Sequence, residues 1–238
     1  VAEAVEQQLD IGRFISLKKQ EIGAEESDAI AKLEVCTQSS YRWLQYCEYH
    51  YVILVETATE SNLRLDRISV YRRAGETVPV RYVYEANIAA FLNSLHALLD
   101  SFPYLLNLFI PVKEDPESTS IKWHESFIKK YEGMAFYDEL LGLLTDTTFH
   151  KVKGYVNTIK HKHLIRISNQ WDHLEFEEYT YKKPCRNVQG RVNFKPETVI
   201  GENVISFIEK CHDELIPRLF NLCESVLHFK SSQLSIDL

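Results

Sequence analysis

Glycine and proline are scarce in this sequence, with 8 glycines and 7 prolines among 238 residues. All-β domains need many tight turns, so this scarcity favours long helices joined by few connections. Hydrophobic residues make up 45% and charged residues 26%, which is close to globular averages and argues against a disordered chain. We expect one helical domain over 1–238, because a chain of this length can bury a core without disulfides or metal.

Several motifs that define enzyme classes are absent. The chain has no Cys-x-x-Cys pair, no phosphate-binding glycine loop and no Gly-x-Ser-x-Gly. His161 and His163 are two apart on a predicted helix and point to different sides, so they make a poor metal pair. The sequence therefore predicts neither a metal nor a cofactor. Its five cysteines are an odd number and widely spaced, which indicates a reducing compartment rather than a disulfide framework.

No membrane segment is predicted. Residues 86–112 are nearly all apolar, but they include His96 and Asp100, which would be costly near the middle of a bilayer. A buried core helix explains this stretch better. Charges run through residues 1–20, so we expect no secretory signal and a cytoplasmic protein.

The apolar periodicity predicts N-terminal helices within 1–80 and a core over 85–230. The individual helices are expected at 1–20, 29–60, 61–73, 85–109, 120–132, 135–145, 147–163 and 202–229. Alternating, β-branched and aromatic residues predict strands at 164–167, 174–181 and 192–194. The expected fold is thus a mainly α helical bundle with a small antiparallel β insertion, about 164–195, before the last long helix.

The helix predicted at 85–109 carries a narrow polar stripe that includes Asn93, His96, Asp100 and Asn107. His96 and Asp100 are four residues apart, so their side chains are neighbours on one face. A carboxylate in this position can fix the tautomer of the imidazole and raise its pKa. The alternative is a core network that only ties two helices together.

A second polar face lies on the helix predicted at 147–163. No Asp or Glu occurs from Thr147 through Trp171, and a further acid-free stretch runs from Tyr179 to Pro196. The first stretch contains a run of candidate anion-binding side chains: His150, Lys153, Asn157, Lys160, His161, Lys162 and Arg166. Either this face binds an anion such as phosphate, or its cations only complement the negative end of the helix dipole. We expect it to lie beside His96 and Asp100 across a helix interface.

Two stretches, 91–100 and 155–164, together resemble the HEPN superfamily of all-α proteins. The first carries His96 followed four positions later by Asp100, and the second carries Asn157-x-x-Lys160-His161. The resemblance implies a homodimeric helical bundle, and many relatives are metal-independent ribonucleases of toxin or anti-phage systems. Others are non-catalytic nucleotide-binding or protein-interaction modules.

Carried over, the resemblance makes His161 the acid or base, Asn157 the residue that orients it, and Lys160 the stabilising cation. RNA or a nucleotide is then the expected partner. Val156, rather than arginine, precedes Asn157. Because lysine cannot form the planar fork of arginine with phosphate, this departure favours the non-catalytic alternative.

Overall fold

The computed structural model describes residues 10–23, 27–65, 70–73, 75–188 and 191–236. Helix α1 covers Ile11–Ile22, with Asp10 accepting a hydrogen bond from the Arg13 N–H at its start and Gly23 at its end. The predicted end at Gly23 is confirmed, whereas residues 1–9 of the predicted helix lie outside the described residues. Helix α2 runs without a break over Ser27–Thr57, and the short α3 covers Glu60–Arg64.

A hairpin replaces the C-terminal part of the helix predicted at 61–73. Strand β1 (Val70–Arg73) pairs antiparallel with β2 (Glu76–Pro79). Gly75 lies between them with a φ of +85°, a conformation that an L side chain rarely adopts. The prediction of helix was therefore wrong over 70–73, where β-branched residues on both sides of this glycine favour a turn and two strands.

Helix α4 covers Val80–Phe109 and starts five residues before its predicted beginning at 85. Its apolar residues are buried on most sides, as the sequence predicts for a core helix. The two following helices are shorter than predicted: α5 covers Glu125–Ile128, a 3₁₀ turn covers Lys129–Tyr131, and α6 covers Tyr137–Leu144. Among the described residues, no helix is long and apolar enough to cross a membrane.

Helix α7 covers Thr147–His161 and is capped by Asp146, whose carboxylate accepts from the Phe149 N–H at 2.8 Å. The β insertion that follows extends further than predicted, because pairing continues to Asn203. Its strands are β3 (Ile167–Asn169), β4 (Leu174–Phe176), β5 (Tyr179–Arg186), β6 (Val192–Val199) and β7 (Glu202–Asn203). They form an antiparallel sheet in the order β3-β4-β7 and a separate antiparallel ribbon of β5 and β6.

The last predicted helix has three parts. Helix α8 covers Val204–Lys210, a π-helical turn covers Cys211–Leu215, and α9 covers Ile216–Ile236. The mainly α fold with a small β insertion before the last long helix is thus confirmed.

The chain divides into two compact units. The first comprises Val1–Trp43, Ala97–Thr145 and Ile216–Leu238. In this unit α1 packs on α9, where Arg13 pairs with Glu224 at 3.1 Å, and Glu21 pairs with Lys18 at 2.9 Å and with Lys230. The second unit comprises Leu44–His96 and Asp146–Leu215, and it holds α7 and the whole β insertion.

Candidate functional site

Helix α7 has a buried side and an exposed side. Phe149, Val152 and Val156 are fully buried, whereas three polar side chains near its C-terminal end are exposed: Asn157, Lys160 and His161. These three residues occupy adjacent turns of one helix face, because they are three and four positions apart. The end of α7 therefore presents an amide, an ammonium group and an imidazole to solvent.

A groove of about 580 Å³ lies where the chain leaves α7 and meets the segment that leads into β5. It is lined by Thr158, Lys162, His163, Leu164, Arg166, Glu177, Glu178, Tyr179 and Thr180. The structure thus brings two of the predicted anion-binding residues, Lys162 and Arg166, to one concave surface. Ligand pockets in proteins commonly have volumes of about 300–1,000 Å³.

Two contacts join Arg166 to Glu177, and both residues line this groove. The Arg166 Nε lies 2.9 Å from the Glu177 Oε2, and the Glu177 N–H donates to the Arg166 carbonyl at 3.1 Å. The Arg166 side chain remains 81% exposed. Since a guanidinium carries five N–H donors, its ion pair with one carboxylate is compatible with binding a further anion.

The end of α7 is closed by Thr158. Its carbonyl accepts from the Lys162 N–H at 2.9 Å and from the His163 N–H at 3.3 Å, while its hydroxyl donates to the Gly154 carbonyl at 2.9 Å. The His163 Nδ1 lies 3.1 Å from the Leu164 carbonyl oxygen. These bonds hold the basic residues at fixed positions along the rim of the groove.

An aromatic layer supports the groove from below. The Tyr179 ring packs against Phe176 at 5.5 Å and Tyr155 at 5.9 Å between centroids. Burial raises the pKa of both tyrosine hydroxyls far above the ordinary value, so neither is available as a base at neutral pH. This layer is structural, and the chemistry of the site belongs to the basic residues and carboxylates above it.

None of the predicted site residues on α7 itself (His150, Lys153, Asn157, Lys160 and His161) is among those that line the groove. His150 is only 7% exposed, and its ring lies 4.9 Å from that of Phe194. Lys153 is half-buried on the same helix. His150 is therefore enclosed by aromatic packing rather than presented beside His161, because the exposed face of α7 does not continue to its N-terminal half.

The polar stripe of α4 has several separate environments. The Asn107 side chain is buried and accepts from the Val112 and Lys113 N–H groups at 3.2 and 3.0 Å, so its role is to fix the turn after α4. The Asn93 amide donates to the Ala89 carbonyl at 2.7 Å within the helix. His96 is 7% exposed, whereas Asp100 is exposed. The proximity of His96 and Asp100 to the α7 residues stays a prediction.

Sequence reasoning did not identify the carboxylate wall of the groove. The sequence predicts one strand over 174–181 that includes Glu177 and Glu178, whereas both residues lie between β4 and β5. Their position beside Lys162 and Arg166 depends on strand pairing, for which spacing along the chain gives no signal. Within the described part of the chain, no group of three or more His, Cys, Asp or Glu side chains is arranged to hold a metal ion.

No family model, curated protein or solved structure matches this chain.

Proposed function

We propose that the groove at the C-terminal end of α7 binds a phosphate group of a ribonucleotide or of an RNA strand. The observation that carries this proposal is that Lys162 and Arg166 line one groove. An arginine can grip a phosphate through two parallel N–H bonds, and a lysine adds a compact charge. Lys160 and His161 are exposed at the end of α7, immediately before Lys162 in the chain, and Lys160 adds a further cation there.

The carboxylates of Glu177 and Glu178 make a nucleotide a better ligand than inorganic phosphate. Both glutamates are exposed and line the groove together with the basic residues, with Glu177 paired to Arg166 at 2.9 Å. Carboxylates accept hydrogen bonds from ribose hydroxyls and from exocyclic amino groups, which bare phosphate lacks. A groove lined by both cations and carboxylate acceptors therefore suits a ligand that carries both an anion and hydroxyl donors.

The dipole of α7 opposes this binding, but it is the weaker effect. The negative end of a helix disfavours an anion by about 0.3–1 kcal/mol at an exposed site. Each hydrogen bond from a charged donor contributes about 1.5–3 kcal/mol. Bonds from Lys162 and Arg166 to one phosphate therefore outweigh the dipole, and the flanking cations screen the last carbonyls.

The family resemblance extends the proposal to metal-independent RNA cleavage. His161 would take the proton of the ribose 2′-hydroxyl as the 2′-oxygen attacks phosphorus, and would return a proton to the 5′-oxygen as its bond to phosphorus breaks, leaving a 2′,3′-cyclic phosphate. Lys160 would stabilise the charged phosphorane, and Asn157 would orient the imidazole or the phosphate. Exposure of all three side chains on one face of α7 supports this assignment. The second candidate is a non-catalytic nucleotide-binding or protein-interaction module that uses the same groove.

Binding is tested by calorimetry with AMP as the ligand. We expect Lys162→Gln and Arg166→Gln each to weaken binding by roughly 10- to 100-fold, which corresponds to loss of one charged hydrogen bond. Arg166→Lys should recover part of this loss, since it retains the charge without the fork. Lys129→Gln is the matched control, because Lys129 is exposed in the other unit. No AMP binding by the wild type, or unchanged affinity in both groove variants, would contradict the proposal.

Cleavage is tested by incubating mixed RNA with the protein in EDTA. If His161 is the acid or base, His161→Ala should lower the rate by about 10²–10⁴. Circular dichroism should show that this variant is folded, since His161 is exposed. Intact RNA after incubation with the wild type at high concentration would rule out cleavage and leave the non-catalytic alternative.

A further inference from the structure

The β5–β6 ribbon is a long two-stranded element with a closed tip. Its register runs over eight pairs, from Tyr179 opposite Val199 to Arg186 opposite Val192. At the tip the Asn187 N–H donates to the Arg191 carbonyl at 3.0 Å, and the Arg191 N–H donates to the Asn187 Oδ1 at 2.9 Å. A strand of this length extends for roughly 24 Å.

The ribbon is strongly basic in an acidic protein. The chain has a net charge of −7, yet no Asp or Glu occurs between Tyr179 and Pro196. Five exposed cations are distributed along the ribbon from its middle to its tip: Lys182, Lys183, Arg186, Arg191 and Lys195. This concentration of charge on one narrow element is the electrostatic pattern of a polyanion-binding surface.

Like charges face each other across the two strands. Lys183 lies directly opposite Lys195, an arrangement that destabilises a strand pair when nothing neutralises it. Glu197 neutralises Lys183 at 2.7 Å, and the Tyr181 hydroxyl donates to Glu197 at 2.9 Å. The ribbon therefore has one internally compensated cation and four further exposed cations. Lys182 and Arg186 lie on one face of the ribbon and Lys195 on the other, since successive residues of a strand alternate between faces.

The ribbon is continuous with the proposed phosphate groove. Tyr179 and Thr180, the first two residues of β5, also line the groove. If one nucleotide of an RNA strand binds in the groove, the phosphates of the following nucleotides would thus lie along the ribbon cations. In a stacked helical strand successive phosphates rise about 3.4 Å along the axis, so a stacked strand would place about seven nucleotides along the ribbon, and an extended strand fewer.

We propose that the β5–β6 ribbon binds the backbone phosphates of an RNA strand, with Lys182, Arg186, Arg191 and Lys195 as the contacts. That the RNA continues from the ribbon into the groove rests on the proposed function, whereas its contacts with the ribbon do not. An acidic protein is the less suitable partner, because the cores of protein interfaces are enriched in aromatic residues and depleted in charge. Interfaces with nucleic acid are instead polar and positively charged.

The salt dependence of binding measures the number of these contacts. Each neutralised phosphate contributes about −0.7 to the slope of log K against log salt for a single strand. Four contacts therefore contribute about −2.8, and a Lys182→Gln/Lys195→Gln variant should lose about 1.4 of that slope. At 0.1 M salt the same loss corresponds to roughly 25-fold weaker binding.

The experiment uses the full chain and a fluorescein-labelled oligouridylate of about 12 nucleotides, long enough to cover groove and ribbon, with anisotropy as the readout. Lys182→Gln/Lys195→Gln is compared with Lys129→Gln/Lys130→Gln, which changes the net charge equally at exposed positions of the other unit. We expect weaker binding and a smaller slope for the ribbon variant alone. Calorimetry with AMP runs in parallel, and the ribbon variant should bind AMP like the wild type.

The outcomes separate the ribbon from the groove. If the oligomer binds in a ribbon-dependent way while AMP does not bind, the groove proposal fails and the ribbon proposal stands. If AMP binds but the ribbon variant retains wild-type affinity and slope for the oligomer, the ribbon proposal is overturned. An equal loss of oligomer affinity in both double variants would overturn it as well. So would poly-glutamate that displaces the labelled oligomer as well as unlabelled oligouridylate does, since charge alone would then explain the binding.

Discussion

Replacing Gly154 by alanine tests the packing that holds the groove wall in place. A methyl group on Gly154 would lie 2.5 Å from the Tyr181 Cβ, 2.8 Å from the Tyr181 Cα and 3.0 Å from the Thr180 carbonyl oxygen. Two of these atoms belong to the backbone of β5, so they cannot move aside by a change of rotamer. The substitution must therefore separate α7 from the strand that lines the groove and begins the ribbon.

The expected effect combines two opposing contributions. Alanine stabilises the interior of a helix relative to glycine by about 0.8–1.0 kcal/mol. Overpacking of a tight contact costs about 1–3 kcal/mol, and contacts with fixed backbone place this case at the upper end. Gly154→Ala should therefore lower the free energy of unfolding by about 2 kcal/mol, which lowers the melting temperature by roughly 4–8 °C for a chain of this size.

Gly142 provides the matched control in α6. A methyl group there would meet only the Arg218 Nη2, at 3.4 Å, which is the end of a long side chain that can move. Gly142→Ala should stabilise the protein by up to about 1 kcal/mol through helix propensity. Thermal melts followed by circular dichroism measure both variants. A melting temperature for Gly154→Ala at or above that of the wild type would refute the packing argument.

Two further predictions concern titration and thiol reactivity. Burial lowers the pKa of His212, but hydrogen bonds to Glu48 at 3.1 Å and to Asp213 at 2.6 Å outweigh it and raise the pKa above its ordinary value of about 6.5. The resulting stabilisation is complete below the ordinary pKa and is lost as pH rises through the raised value. In urea unfolding, the free energy of unfolding should therefore differ more between wild type and His212→Gln at pH 6 than at pH 8. An equal difference at the two pH values would contradict this reasoning. Of the five cysteines, Cys36, Cys47, Cys211 and Cys223 are buried with raised pKa values, while Cys185 is half-buried on the ribbon. Ellman's reagent should thus label Cys185 first, and bound RNA should slow this labelling. Simultaneous reaction of all five thiols in the native protein would show that the other four cysteines are not buried.

The long helices could be predicted from sequence because their signals are local. Gly23 marks the end of α1, and the apolar periodicity indicates α4 and α7 to within a few residues. The hairpin at 70–79 was missed because its strands are only four residues each, too short for a strand period to be distinct. Apolar periodicity also did not predict the π turn. Residues four positions apart advance by about 40° around an α-helix, so Cys211, Leu215 and Leu219 would spread over about 80° of its surface. A π turn has one more residue per turn and brings them back to one face.

The candidate site could be predicted only in part. Lys162 and Arg166 stand in the acid-free stretch that the sequence singles out, and the structure places both in the groove. His150 belongs to the same stretch, but its burial depends on Phe194, 44 positions further along the chain and brought close only by the path of β6. Glu177 and Glu178 line the groove because they form the two-residue connection between β4 and β5. Charge composition thus located the region, and long-range pairing decided which side chains share a surface.

The pairing of α1 with α9 has a consequence for how the protein is made. Glu21 and Lys230 are 209 positions apart, and bringing them together costs about 5 kcal/mol of chain entropy. The second unit contains no residue beyond Leu215, so all of its segments are synthesised before α9 begins. Helix α1 is therefore translated before the second unit is complete, and α9 is translated after it. Until α9 is made, α1 can pack only on earlier segments such as α4, where the Phe14 ring lies 4.8 Å from that of Phe109.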